Sequence, residues 1–542
     1  MINLIKKIDV FLDRHIPILL LLALMLFLRI PNLVEPYWYG DESIYLTIGH
    51  AMTNGEKLYS QIIDHKTPLI YYLAMVPSQL WFRILNIGAM ALSTIIFYNL
   101  SKKLFSRNSI AIFITFLFVL LTSFPGLEGN IPNGELFVMT FILIGAACLM
   151  NTRFFNHFFL SEQKIPGPEL ASLKTENFWL FAGGCFFGLG LLTKVPGLFD
   201  VAAFLSVGWF SFLRSMPVFN RFNKNRTWMV KSRESIVSTG IVVAGVLLPI
   251  LLSIVYFVLR GSGKAYLDYG LLYNFRYAGS WKLDFANPIL LFTFSLVGKV
   301  SITAAILLFL SLFSRYVRHT FQFIATWFCL ALFATLLSNR PYPHYFLQLV
   351  PPFTLLIGSL LSLCREMIFP QKVKMELGQK IGRVLELFTS VSLIFILIST
   401  VVLLNVRLYA TFSYYQRFYQ LLTKQISAET YRNSFDSLMP DNYEAARLIS
   451  SAPGDRLFIW GTDPGLYALS KRSPVGRFTV LFHIKDFKAE HETYLDFVRE
   501  EPVYAVIMKT EEVPDEIRER LNSHYLPNST FQHFILWKKI SS

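Results

Sequence analysis

The sequence predicts an α-helical polytopic membrane protein with about eleven transmembrane helices and a small C-terminal α/β domain on the external side. Three observations carry that prediction. Hydrophobic residues make up 54% of the chain and charged residues only 16%, against about 25% charged in an ordinary soluble domain. The apolar residues gather into runs of membrane-spanning length, which a soluble core does not need. From about residue 425 the composition turns mixed and soluble.

The apolar runs fall near 16–34, 82–100, 109–123, 134–150, 178–193, 196–213, 236–259, 288–313, 320–337, 345–363 and 385–405. Lys6, Lys7 and Arg14 precede the first run, but no small-residue cleavage site follows it, so a retained span is expected rather than a signal peptide. Residues 1–405 thus read as a membrane domain with a large first external loop at 35–81, and 406–542 as a linker plus the α/β domain. A formal charge of +14 does not point to nucleic acid, because the cations sit in short loops between apolar runs. Lys102, Lys103 and Arg107 fill one; Arg214, Arg221, Lys224, Arg226, Lys231 and Arg233 a second; Arg315 and Arg318 a third; Arg365, Lys372, Lys374, Lys380 and Arg383 a fourth. They alternate with cation-poor loops and read as cytoplasmic. An odd number of spans then puts the C-terminal domain outside a cell (inner) membrane. The four cysteines lie in or beside apolar segments and offer neither a disulfide framework nor metal-ligand spacing.

Three segments stand out on the external side: 35–81, the aromatic stretch within 260–287, and the short loop 338–344. Residues 69–81 are too short to span and predict an amphipathic helix lying on the membrane surface. In the C-terminal domain, 456–460 and 503–508 read as strands and 441–451, 486–500 and 514–523 as helices. The turn Gly461-Thr-Asp-Pro-Gly465 follows a strand but lacks a nucleotide-binding pattern. Asn528-Ser529-Thr530 is a formal glycosylation acceptor.

Candidate chemistry lies on these external segments. Asp41 and Glu42 follow the first span at once, and Lys66 stands in Asp64-His65-Lys66-Thr67-Pro68 of the same loop. Glu135 opens the fourth span beside Asn133, where a favourable helix N-terminus is the plainer explanation. Lys194 caps a tight turn, and Arg340, His344 and Tyr345 make a cationic, aromatic loop. Interfacial anchoring explains these equally in isolation. Lys299 falls near the middle of the eighth run, where a lysine must pair, snorkel or line a cavity. A transporter or flippase would gather its polar groups near the midplane on interrupted helices with repeat symmetry. The surface distribution here favours an enzyme.

Six motifs in register resemble those of the GT-C glycosyltransferases, in particular the protein O-mannosyltransferases and the bacterial aminoarabinose transferases. They are WYGDESIY, DHKTPLIYYL, FRILNIGAMALSTIIFYNLSKKLF, PNGELF, GLGLLTKVPG and RPYPHYFLQLVPP, over roughly residues 20–365. The resemblance implies a polyprenyl-phosphate sugar donor, an inverting transfer on the external face, and a lipid, glycan or protein acceptor. By the same resemblance Asp41 matches the first-loop acid and Glu42 completes a catalytic Asp-Glu pair. Asp41 is the expected base, with Glu42 in its place, or the pair orienting the acceptor, as alternatives. Lys66 matches the donor-phosphate contact and Glu135 the second-loop acid. Arg340, His344 and Lys194 join Lys66 as phosphate-binding candidates on charge. The sequence departs from the family in HKTP, where HKPP is commoner. No cofactor is implied for catalysis, although adjacent carboxylates suit a hard divalent metal.

The topology is directly testable. Reporter fusions at Asn223 and Ser542 should signal from opposite sides of the membrane; signals from one side would overturn the eleven-span arrangement.

Overall fold

The computed structural model describes residues 2–160, 173–215, 227–369 and 376–540. The cations expected at Arg221, Lys224, Arg226, Lys372 and Lys374 lie outside these residues. All eleven apolar runs are helical: Ile2–Arg29, Gln79–Leu104, Asn108–Ser123, Gly134–Leu149, Leu173–Thr193, Leu198–Ser215, Thr227–Leu259, the pair Pro288–Phe294 and Leu296–Leu312, His319–Leu336, Val350–Ile368, and Leu377–Leu403. Among the described residues, seven helices are long and apolar enough to cross a membrane, or eight if the bent pair is one span. The protein is a multi-pass membrane protein. Asn108–Ser123 and Gly134–Leu149 have 16 residues each, about 24 Å of helix. The four cysteines are free.

Close helix packing rests on small residues, as it does where lipid removes the hydrophobic drive between helices. A Cβ on Gly184 would lie 2.2 Å from the Val242 carbonyl oxygen, and one on Gly245 would lie 2.3 Å from that of Phe181. Leu173–Thr193 and Thr227–Leu259 can therefore touch backbone to backbone.

One local expectation needs correction. The helix predicted over 69–81 is only Leu69–Leu73, and Gln79–Trp81 instead begin the next long helix. Pro77 explains the break: it has no N–H to donate and disfavours helical backbone at Val76. Lys299, expected to pair, snorkel or line a cavity, is paired. The chain bends by 74° between Pro288–Phe294 and Leu296–Leu312, which puts Lys299 in the first turn after the bend. Its Nζ donates to the carbonyls of Leu336 (2.8 Å) and Leu337 (3.1 Å) and to Asn339 Oδ1 (3.1 Å). It thus satisfies the open carbonyl end of His319–Leu336.

The C-terminal region is an α/β domain. Its strands are β1 (Arg456–Trp460), β2 (Ser473–Pro474), β3 (Tyr504–Met508), β4 (Tyr525–Thr530) and β5 (Phe534–Lys539), in the order β2-β1-β3-β5-β4. β1 is parallel to β2 and β3, and β5 is antiparallel to β3 and β4. Alternate residues of β1 and β3 enter different cores. Phe458, Trp460, Ala505 and Ile507 pack with Phe497 and Ile517, whereas Leu457, Ile459, Val506 and Met508 pack with Ala445 and Ile449. The helix expected at 486–500 is two, Leu481–Phe487 and Glu490–Glu500, divided at Lys488 with its φ of 53°. The β4–β5 hairpin was not expected. Pro527 and the lysines mask its alternation, and Pro is tolerated because β4 is an edge strand. Asn528-Ser529-Thr530 lies in β4.

This domain docks on the first loop. Ile63 N donates to the Arg477 carbonyl at 2.8 Å, Arg456 pairs with Glu56 at 2.9 Å, and Thr47 Oγ1 reaches the Pro464 carbonyl at 3.4 Å. Beneath it, helix Gly40–Thr53 is held to the membrane bundle by a buried ion pair. Arg83 Nε and Nη2 donate to Glu42 Oε1 and Oε2, both at 2.8 Å, and Gln79 Nε2 adds a third bond at 2.9 Å.

Arg83→Met should strand the Glu42 charge in a buried site. A loss of about 3–5 kcal/mol of stability is expected, read as a lowered midpoint of thermal unfolding in detergent; an unchanged midpoint would refute the anchoring role.

Candidate functional site

A cavity of about 750 Å³ lies between the membrane bundle, the first loop and the C-terminal domain. Asp41, in the first turn of Gly40–Thr53, opens into it. Its Oδ2 accepts from Tyr45 Oη at 3.1 Å, and its Oδ1 lies 3.5 Å from Lys66 Nζ. Lys66 is 6% exposed. It also pairs with Asp64 at 3.5 Å and lies over the Tyr45 ring at 5.0 Å. Tyr59 Oη holds the Lys66 carbonyl at 2.7 Å, so the loop itself is pinned.

These charges tune one another. Burial alone would raise the Asp41 pKa, but Lys66, then His344 and Lys194, hold it down to about 2. Burial works against the Lys66 cation, yet Asp41 and Asp64 raise its pKa above the usual lysine value. Asp64 sits well below the carboxylate range: burial opposes its charge, and Lys66 and His65 outweigh that.

Glu42 is turned elsewhere. Consecutive helical residues point about 100° apart, and Glu42, fully buried, faces Arg83 and Gln79. The structure brings Asp41 to the cavity and leaves Glu42 off it, so the expected catalytic pair is divided. For the same reason the two carboxylates do not form a joint site for a hard cation.

The other candidates converge. Glu135, opening helix Gly134–Leu149, pairs with Lys194, which also lies over the Tyr345 ring at 4.7 Å. Lys194 is therefore held by a carboxylate and a ring at the cavity wall. His344 pairs with Glu128, and Tyr39 Oη reaches His344 Nδ1 at 3.0 Å and bonds Glu128 as well. Arg340 lies over Tyr277 at 4.4 Å and Trp281 at 5.2 Å and donates to Ser280 Oγ at 3.0 Å. Asp41, Lys66, Glu135, Lys194, Arg340 and His344 all line one cavity.

The sequence reading missed several of its neighbours. Glu128 carries no motif; only its partner His344, 216 positions later, marks it. Asp463, in the turn that lacks a nucleotide-binding pattern, faces the cavity from the C-terminal domain and accepts from Asn442 Nδ2 at 3.0 Å. Burial raises its pKa to about 6, against the hydrogen bond from Asn442. His483 meets Asp64 and His65 of the first loop, the one grouping of metal-ligand type among the described residues.

Residues 65–260 match the family model described as dolichyl-phosphate-mannose-protein mannosyltransferase. The crystal structure of ArnT from Cupriavidus metallidurans in the apo state superposes over 96% of this chain and 97% of that one. Its TM-score is 0.51 at 12% identity. The chain has the GT-C glycosyltransferase fold. The same ArnT bound to undecaprenyl phosphate gives a TM-score of 0.47 at 12% identity, over 97% and 98% of the two chains. The archaeal oligosaccharyltransferase AglB from Archaeoglobus fulgidus, in complex with an inhibitory peptide and a dolichol-phosphate, gives 0.41 at 12% identity, over 91% and 69%. No curated protein matches the sequence. The match to the family model begins at His65, so it includes Lys66, Glu128, Glu135 and Lys194 but not Asp41.

Proposed function

We propose that the chain transfers a sugar from a polyprenyl-phosphate donor to a lipid, glycan or protein acceptor on the external face of the membrane, with inversion. The observation that carries this reading is a carboxylate, Asp41, facing Lys66 at 3.5 Å in a cavity that also gathers Lys194, Arg340 and His344. The match to a dolichyl-phosphate-mannose-dependent family supports the donor class.

The chemistry needs this arrangement. A sugar phosphodiester departs as a phosphate monoester, a stable anion that requires cations rather than a general acid. Lys66, Lys194, Arg340 and His344 supply them. The acceptor hydroxyl or amine must lose a proton, which is the role of Asp41. One base and one direct displacement invert the anomeric centre, as in single-step glycoside chemistry. Lys66 and Lys194 rest on Asp41, Asp64 and Glu135. An arriving phosphate competes for those cations, and as their hold on Asp41 weakens its pKa climbs from about 2. Donor binding therefore makes Asp41 a stronger base just when one is needed.

Asp41→Asn keeps the shape and loses proton acceptance. With donor and acceptor saturating, turnover should fall about 10²–10⁴-fold, measured as release of free polyprenyl phosphate by purified protein in detergent. Near-normal turnover would remove Asp41 as base. Glu42→Gln should instead lower stability, with the folded fraction keeping its turnover. Counterflow of lipid-linked sugar in sealed vesicles without chemical turnover would support a flippase in place of a transferase.

Lys66→Met tests the electrostatics. Asp41 is depressed, so its anionic form is lost only as pH falls through its low folded value. Removing the Lys66 cation takes away the largest attraction holding that value down, so the acid limb of turnover against pH should move upward. An unmoved limb, with residual turnover measurable, would uncouple Lys66 from Asp41.

A further inference from the structure

We propose that Asp64, His65 and His483 form a binding site for a divalent cation of the zinc class, which clips the C-terminal domain to the first external loop beside Lys66. Three donor atoms meet at this point. Asp64 Oδ1 lies 3.0 Å from His65 Nδ1 and 3.4 Å from His483 Nε2, and the two imidazole nitrogens are 3.1 Å apart. Zinc binds nitrogen and carboxylate oxygen at about 2.0–2.2 Å, so ligand atoms of a tetrahedral site lie about 3.3–3.5 Å from one another. One edge of the triangle has that length and the other two are about 0.2–0.3 Å shorter, so a small outward shift of the side chains would admit the ion.

The hydrogen bonding points the same way. All three residues are buried, His65 at 7% exposure and the other two at 0%. Asp64 Oδ1 receives no well-aligned hydrogen bond among the described residues, although both histidine nitrogens crowd it at 3.0 and 3.4 Å. The other oxygen, Oδ2, accepts from Tyr71 Oη at 2.5 Å and faces Lys66. That contact turns Oδ1 toward the histidines, the orienting role that outer-shell partners play around a metal. A cation would satisfy Oδ1 and both facing nitrogens at once.

The loop is also prepared. Asn274 Nδ2 holds the His65 carbonyl at 3.1 Å, and the His65 ring stacks on Tyr277 at 4.7 Å. Two imidazoles and one carboxylate suit zinc and its borderline neighbours better than calcium or magnesium, which favour all-oxygen sites. His65 lines the cavity, and three protein donors leave a coordination position for water. The three ligands come from chain positions more than 400 residues apart, 64–65 in the loop and 483 in helix Leu481–Phe487. Bound metal would therefore fasten the domain at the residue next to Lys66. This site stands on its own geometry and does not depend on the transferase reading.

The test uses the full chain purified in detergent, stripped with EDTA, desalted and titrated with zinc chloride. Elemental analysis should show one tightly held zinc more in the wild type than in His483→Ala or His65→Ala. Zinc should raise the wild-type unfolding midpoint and leave those of the variants in place. His483→Gln, closer in size, covers the case in which the alanine variant fails to fold. Cobalt(II) added to the stripped wild type should give the intense visible absorption of a four-coordinate site. Equal zinc content in wild type and folded variants, or a folded wild type without that cobalt spectrum, would overturn the proposal.

Discussion

Arg83 and Glu42 meet where water does not reach them, and much of the site depends on that meeting. A buried guanidinium and carboxylate tolerate each other only with both hydrogen bonds made, and here both are, at 2.8 Å each. Helix Gly40–Thr53 is thereby fixed in rotation as well as in place. Because neighbouring side chains on a helix diverge by about 100°, holding Glu42 inward against the bundle leaves Asp41 directed at the cavity. One acid secures the helix and the other faces the cavity beside Lys66. The same arginine donates to the carbonyls of Asn32 (2.5 Å) and Glu35 (2.9 Å), so the chain leaving the first span is held by the same group.

The cavity is a set of exchangeable ion pairs rather than a positive patch. Lys66 leans on Asp41 and Asp64, Lys194 on Glu135, and His344 on Glu128. Such pairing keeps buried charges bearable without ligand. Under the transferase reading, it also lets a phosphate enter by replacing carboxylate partners instead of by ordering bare cations. Arg340 differs: it rests on the faces of Tyr277 and Trp281, a cation–π hold that leaves its charge available to an anion.

The C-terminal domain takes part in this cavity. It contributes Asp463 and Phe482 to the wall and sends His483 against Asp64 and His65. The loop carrying Lys66 is consequently shaped by contacts from both the membrane bundle and the α/β domain. A change in the seating of that domain would be felt at Lys66.

Membrane class, helical runs, the α/β character of the last part and the six motifs were legible in the linear sequence because each is local. Apolar run length, loop cations and short strand patterns are written over ten to thirty consecutive residues. The same locality misled at 69–81, where one proline overrode the apparent pattern, and it could not name the partners of Lys299. It also hid the β4–β5 hairpin behind Pro527. What the tertiary structure decided was partnership: Glu42 with Arg83, Glu128 with His344, Glu135 with Lys194, and Asp64 and His65 with His483. These pairs span 41 to more than 400 positions, and nothing in a residue's own neighbourhood records which distant charge will compensate it. Burial makes such compensation obligatory, and only the packing of the whole chain says where it comes from.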